Sequence, residues 1–290
     1  MALIKRKIDI VLTYGTGVNG EGPPQAVTLS GYRVSVNCKT AGGPGMGTAQ
    51  IRVFGMTLDL MNRLSTMGIL PTAYKRNAVT VIAGDEVNGM AKIFEGTIQA
   101  AWADMMTAPD VAFNITALAG LIEALLPIPP SSYPGTADAA VIMANLAEQM
   151  GLAFENNGVS VILAKPYFPG AARQQMTDVA ESAKIGWIID NGVLAIWPHG
   201  GSRGGAVPLL SPETGLIGYP AYTSTGLVLW TQFNPSVRFG AKVQVKSELT
   251  PACGTWQVAN LVHDLEAETP GGKWASQMQL AALGYLVVAK

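Results

Sequence analysis

Two histidines, His199 and His263, and two cysteines, Cys38 and Cys253, are this chain's whole stock of imidazole and thiol groups. These groups most often serve as general bases, nucleophiles and soft metal ligands. They fall in no His-x-x-x-His or Cys-x-x-Cys spacing, so a zinc site would need ligands gathered from scattered carboxylates and single cysteines. His199 stands in the glycine-rich stretch HGGSRGG, and His263 stands in an alternating stretch before Asp264, where a polar-face position is expected. No G-x-S-x-G elbow pairs a serine with either histidine. Two carboxylate pairs remain for acid–base work of the glycosidase kind: Asp85 with Glu86 in a turn, and Asp264 with Glu266, which a strand would direct to one face. Neither is flanked by an aromatic cleft, and both are expected to be solvated charges. No catalytic, cofactor-binding or metal-binding residue is assigned, no cofactor is expected, and the chain is expected not to be an enzyme.

Glycine patterns offer phosphate chemistry instead. Gly15, Gly17 and Gly20 form a literal G-x-G-x-x-G after a strand. A dinucleotide fingerprint needs a helix N-terminus next, to direct amides at a pyrophosphate. Here Glu21, Gly22, Pro23 and Pro24 follow, and the prolines remove donors and stop a helix. GGPGMG (Gly42–Gly47) lacks the Lys-Ser/Thr of a phosphate loop and leads into a strand, so a turn is expected. Trp102, Trp187, Trp197, Trp230, Trp256 and Trp274 lie mostly in expected strands, as core or interface anchors.

Composition narrows the class. The chain of 290 residues is 49% hydrophobic and only 13% charged, with net charge −1. The charged share is about half that of an average soluble domain. Obligate interfaces are charge-poor and resemble a core cut in half, so assembly into a larger object is favoured over a free monomer. No global basic field draws a phosphate backbone, and Lys5–Arg6–Lys7 fits a solvated arm, which disfavours sequence-specific nucleic-acid binding. Apolar runs such as Ile115–Pro127 fall short of the ~20 residues of a bilayer span, and the N-terminus lacks the long apolar run of a secretory signal. Two cysteines are too few for a disulfide framework and are expected as buried reduced thiols, in a chain folded in a cytoplasm.

The elements that must position these residues divide at a proline-rich linker. IDIVLTYG, YRVSVNC, AQIRVFGM, AVTVIAGD, IFEGTIQAAWADM and VAFNITALAG read as strands at period two, with one helix over LDLMNRLSTMG marked by Leu60, Leu64 and Met67 and stopped at Gly68. After PIPPSSYP the period changes. A helix over TADAAVIMANLAEQMG has Thr136 as expected N-cap and Gly151 past its end. FENNGVSVILA reads as a hairpin about Asn157–Gly158, Gly170–Gly186 as a second helix, and GWIID with VLAIWP as a hairpin about Asn191–Gly192. Beyond HGGSRGGAV the strands GLVLWTQF, AKVQVKSEL, TWQVANLVHDLEAE and KWASQMQLAAL follow. The expected fold is α+β and mainly β: two similar β-barrels, 1–126 and 206–290, with a small α/β module inserted at 127–205.

The two barrels share an ordered pattern. Ala78–Gly120 and Ala241–Leu283 each run strand, gap, a long alternating strand opened by a glycine (Gly96, Gly254), a turn with Pro109 or Pro270, and a last alternating strand. Three copies of such a chain would place six quasi-equivalent barrels in a closed ring, and an open barrel edge could pair with the next barrel.

The same stretches carry a resemblance. YRVSVNC, GTAQIRVFGMTLDLMNRLSTMG, VTVIAGD and FEGTIQAAWADM resemble the first barrel of the baseplate hub proteins of contractile-tailed bacteriophages. MGLAFENNGVSVILAKPYFPGAARQQMTDVAESAKIGWIIDNGVLAIWP resembles their inserted module, and FNPSVRFGAKVQVKS with GTWQVANLVHDLEAETPGGKWASQMQLA their second barrel. The resemblance spans Ile8 to Lys290 and implies two tube-protein-like barrels in a homotrimer that adapts a sixfold tail tube to a threefold central spike. The implied partners are the tail tube or tube-initiator protein, the spike, other baseplate proteins and, as an optional further partner, the tape measure protein. The implied location is the virion baseplate, with assembly in the host cytoplasm. The alternatives are a baseplate-associated peptidoglycan hydrolase, the hub of a phage-like contractile injection system, and a monomeric carbohydrate-binding protein with the tryptophans as stacking platforms.

Overall fold

A computed structural model of the chain describes residues 5–15, 24–65, 77–106 and 108–283. Of these, 51% are strand and 16% helix, so the fold is mainly β. Two compact units emerge: the first comprises 1–39, 48–119 and 263–275, the second 40–47, 120–262 and 276–290.

Seven strands and a helix build the first unit: β1 (Arg6–Gly15), β2 (Pro24–Leu29), β3 (Arg33–Lys39), β4 (Thr48–Phe54), α1 (Leu58–Leu64), β5 (Ala78–Asp85), β6 (Gly89–Asp104) and β7 (Ala112–Leu118). Their order is β3-β4-β7-β6-β5-β1-β2, all antiparallel. Alternation decides the faces: β3 buries Val34, Val36 and Cys38, and β4 buries Ala49, Ile51 and Val53. The core is therefore made of every second residue, as the period-two reading requires. The Thr57 side chain caps α1 by accepting from Leu60 N, and the helix buries Met61 and Leu64 rather than the expected Leu60. Met67 and Gly68 lie outside the described residues. Gly96 does not open its strand but sits inside β6. A Cβ there would lie 2.7 Å from Leu118 O and 2.8 Å from Phe94 Cζ, so only glycine admits this approach.

Residues 263–275 also belong to the first unit. They form the tip of a hairpin between β19 (Gly254–Ala267) and β20 (Trp274–Ala281), and β19 is the other neighbour of β3. The tip is gripped by the start of β1: Lys5 Nζ lies 3.0 Å from Glu268, Arg6 donates to Gly272 O at 3.2 Å, and the Arg6 guanidinium stacks over the Trp274 ring at 5.6 Å.

The second unit contains α2 (Leu121–Leu125), β8 (Ser131–Ser132), β9 (Thr136–Asp138), α3 (Ala139–Met150), β10 (Ala153–Asn156), β11 (Ile162–Ala164), β12 (Tyr167–Phe168), α4 (Ala172–Ala183), β13 (Ile185–Asp190) and β14 (Val193–Pro198). The helix α3 starts one turn element later than Thr136: that residue is in a strand, and Asp138 caps the helix by accepting from Ala140 N at 2.9 Å. Gly151 ends it in the left-handed region at φ 71°, as expected. The hairpin expected about Asn157–Gly158 does not form, because β10 pairs parallel with β14 while β11 pairs with β9. The Asn156 side chain closes a local turn instead, accepting from Val159 N at 2.7 Å and donating to Val159 O at 3.0 Å. The β13–β14 hairpin does turn at Asn191 and Gly192, both at positive φ. Helices α3 and α4 bury Ile142, Met143, Leu146, Met176 and Val179 against Trp187, Leu194 and Ile196 of that sheet. The opposite face packs Ile188, Ala195 and Trp197 on Phe239.

The remaining strands are β15 (Leu209–Leu210), β16 (Leu216–Thr223), β17 (Gly226–Gln232), β18 (Lys242–Val245), and β19 and β20. They lie in the order β16-β17-β20-β19-β18, with β15 parallel to β18. This order repeats the first unit's β3-β4-β7-β6-β5 element for element. In each, a hairpin comes first in the chain and a three-strand meander follows, with the hairpin's second strand beside the meander's last. The duplication read from Ala78–Gly120 and Ala241–Leu283 thus extends back over a further hairpin in each copy, of whose four strands the alternation missed only β16. Strand β16 escaped because Gly218 and Pro220 interrupt it and its register shifts between Ile217 and Ala221.

Leu146, fully buried between α3 and the sheet, gives a direct check on the second core. Leu146→Ala should lower stability by about 2–5 kcal/mol in urea unfolding. A loss below ~1 kcal/mol would mean that this packing is not what holds α3.

Candidate functional site: clamped connectors and an open strand edge

The residues with chemical potential are dispersed, and each carboxylate pair serves local structure. Asp85 accepts from Val87 N at 2.8 Å, Asn88 N at 2.7 Å and Asn88 Nδ2 at 2.9 Å, and the Asn88 side chain and backbone bonds lower its pKa. Glu86 pairs with Lys7 at 2.9 Å, which holds its carboxyl below the usual range. Asp264 receives Lys273 Nζ at 2.9 Å, and Glu266 receives Lys273 N at 3.2 Å. His199 is exposed at the end of β14, whereas His263 is buried in β19, not on a polar face, and burial pushes its pKa down to about 4. Cys38 is buried and burial pushes its thiol up, but Cys253 is exposed, contrary to the expected buried pair. Its position after the Pro251 turn leaves the thiol at the surface, donating to Ser247 O at 3.1 Å. Both thiols are free. Among the described residues no three His, Cys, Asp or Glu side chains gather as metal ligands, and no helix is long and apolar enough to cross a membrane. Of the G-x-G-x-x-G, Gly15 ends β1 and 16–23 lie outside the described residues.

The geometry concentrates instead in two arginine clamps of the second unit. Arg203, from HGGSRGG, is 3% exposed and spreads its guanidinium over two carboxylates. Nε and Nη2 reach Glu155 at 3.1 and 3.0 Å, and Nη1 reaches Asp190 at 2.7 Å. Its own amide donates to Gly240 O at 2.8 Å, and Gln257 Nε2 donates to Gly201 O at 3.0 Å and Gly240 O at 2.9 Å. Burial alone would raise the Glu155 pKa, but the hydrogen bonds and charge of Arg203, with Asn157 and Arg238, overcome it and the pKa is lowered. The glycine-rich connector is thereby fixed to β10, β13 and the start of β18. Arg203 went unnoticed in the sequence because a lone arginine among glycines has no periodicity. Its only signal is a fixed charge in a charge-poor chain.

The second clamp explains GGPGMG. Arg173 of α4 is buried, stacks on Trp187 at 5.1 Å, and donates through Nη2 to Gly43 O at 3.0 Å and also to Gly45 O. Gly43 N donates to Trp187 O at 2.8 Å, and the Phe239 ring fills the space a Cβ on Gly42 would need, 2.3 Å away. The loop is a turn, as expected, and Gly42 admits the close approach of the Phe239 ring.

The tryptophans separate into core and surface. Trp187 and Trp197 are buried, while Trp102 on β6 and Trp230 on β17 are 47% and 44% exposed. Trp230 stands opposite exposed Ile217 in the β16–β17 ladder, near exposed Tyr219. Among the described residues β16 has one ladder neighbour, β17, so its outer backbone edge ends the sheet. Met105 and Met106 are exposed at the β6–β7 turn. An open edge beside apolar side chains is an association surface.

Solved phage tail proteins share this fold. A tail protein from Neisseria meningitidis MC58 superposes with TM-score 0.64 at 7% identity, covering 97% of this chain and 98% of its own. The 43 kDa tail protein of prophage MuSo2 from Shewanella oneidensis gives 0.60 at 11% identity, covering 96% and 99%. An E. coli protein, c3393, described as a type VI secretion component similar to T4 tail proteins gp27 and gp5, gives 0.55 at 11%, covering 86% and 73%. No curated protein sequence matches the chain. These superpositions show a tail-protein fold, and the sequence shows the family. Residues 8–269 match the family described as baseplate hub gp41, and the chain belongs to it.

Two measurements test the buried ionisable groups. Arg203→Met takes the buried guanidinium from Asp190 and leaves Glu155 to Asn157 and Arg238, and should cost about 3–5 kcal/mol of unfolding free energy. Adding Glu155→Gln should recover part of it. For His263 the folded pKa of about 4 lies below the ordinary histidine value of 6.5, so the unfolded chain binds more protons between those values. Stability should be full above pH 6.5 and fall by about 3 kcal/mol toward pH 4. In His263→Gln that slope should vanish from urea unfolding curves.

Proposed function

We propose that this chain is a non-enzymatic structural subunit of the tail baseplate hub, working as a homotrimer. Three copies place six similar lobes in a ring, so that one face meets a sixfold tail tube or tube-initiator protein and the other a threefold central spike. In this reading 1–126 and 206–290 supply the two tube-like lobes, and 127–205 is a module available to other baseplate proteins. The tape measure protein is an optional further partner. Assembly takes place in the host cytoplasm and the product resides in the virion baseplate. The observation that carries the reading is the five-strand order found twice, β3-β4-β7-β6-β5 and β16-β17-β20-β19-β18. A duplicated lobe is what converts threefold symmetry into six near-equivalent positions.

The likeness to a type VI secretion component favours one second reading, the hub of a phage-like contractile injection system. Both readings call for the same ring.

Negative-stain projections of the purified protein, with its mass in solution, test the proposal. The expected result is a threefold ring with six lobes about a channel. A monomer at high concentration would contradict it. Murein zymography should give no lysis; clearing that is lost in Asp264→Asn or Glu266→Gln would replace the structural reading with a hydrolase.

A further inference from the structure

The two copies of the five-strand order differ in what covers their outer hairpin strand. In the first unit that strand is β3, and its outer neighbour is β19, whose residues 263–267 belong to the same unit. In the second unit the equivalent strand is β16, which has β17 alone beside it among the described residues. The duplication also says what kind of segment belongs there. Strand β19 is the long middle strand of its meander, and its equivalent is β6, the long middle strand of the other.

The two middle strands are built alike. Strand β18 accompanies β19 only from Gly254 to Gln257, leaving the far end of β19 to run on as the hairpin tip that reaches β3. Strand β5 accompanies β6 only as far as Thr97, and β6 continues to Asp104 with β7. The β6–β7 tip is therefore the counterpart of the β19–β20 tip, and it carries exposed Trp102, Met105 and Met106. The edge it would meet carries exposed Ile217, Tyr219 and Trp230. Both surfaces expose large apolar side chains, and they are different surfaces. Contact between unlike patches is heterologous, and repeated head to tail it makes a ring where the rotation closes.

We propose that the β6–β7 tip of one copy of this chain covers the β16 edge of the next, extending its sheet as the β19 tip extends the sheet at β3. The inference rests on the ring reading and assigns that ring its contact between subunits. Its occupant is a second copy because the chain itself holds the matching contact once.

Head-to-tail contact has a signature that other modes lack. Met106→Asp damages the tip and Ile217→Asp damages the edge; each side chain is exposed, so folding is checked by circular dichroism against wild type. Trp102→Glu and Trp230→Glu replace either variant that does not fold. By native mass spectrometry across a dilution series, each variant alone should be monomeric, with association weakened about 30-fold or more, as for loss of an interface hot spot. Mixed, the tip variant still offers a sound edge and the edge variant a sound tip, so a one-to-one heterodimer should form and no ring. Single variants that assemble like wild type, or a mixture that stays monomeric while wild type forms rings, would overturn this contact and leave the ring reading standing. A monomeric wild type would overturn both.

Discussion

A strand at the end of a sheet presents a row of N–H and C=O groups, and a protein must cover, blunt or use them. In this chain that constraint organises everything else. One outer hairpin strand, β3, has a long hairpin tip as its neighbour, fastened by Lys5 and Arg6 to the turn at Glu268–Gly272. Its counterpart, β16, ends its sheet among the described residues and is bordered by apolar side chains. Among the described residues one of the two equivalent edges is covered and the other is not, and the proposed ring contact would use that difference. The low charged fraction agrees with this, since surface destined for another subunit is poor in charge.

Two buried arginines act where the chain is least constrained by itself. Glycine loses more conformational freedom on folding than any other residue, so the connectors at 40–47 and 199–208 need external restraint. Arginine supplies it well, because a planar guanidinium satisfies several carbonyl or carboxylate oxygens at once. Arg173 holds Gly43 and Gly45, and Arg203 holds Glu155 and Asp190 while its backbone joins Gly240. Of the glycines in GGPGMG, Gly42 is the place where a ring, that of Phe239, comes too close for a Cβ. The connectors are thereby held, as the proposed symmetry-matching role would require.

Much of this was legible in the residues. Strict alternation marked β3, β4 and β5, and the apolar spacing of Ile142, Leu146 and Met150 with Gly151 marked α3, because local pattern and burial agree there. The illegible features share a cause: they depend on partners remote in the chain. Asn157–Gly158 looks like a hairpin turn until β14 takes β10 as a parallel neighbour. Gly96 looks like a strand start until Leu118 O is seen beside it. His263 looks like a polar-face residue until its face proves to be the buried one. Arg203 and the β16 edge had no local signal, the first lacking periodicity and the second broken by Gly218 and Pro220. The duplication itself was visible in element order, and its extension to the outer hairpins required the sheet topology.

The central claim is that β16 is the equivalent of β3 and is covered in the working protein. Amide hydrogen exchange on the assembled wild-type protein compares the two strands directly. The amides of Leu216–Thr223 should be protected to about the same degree as those of Arg33–Lys39 and should lose that protection on dilution to monomer. Fast exchange along β16 in the assembled state, unchanged by dilution, would contradict it.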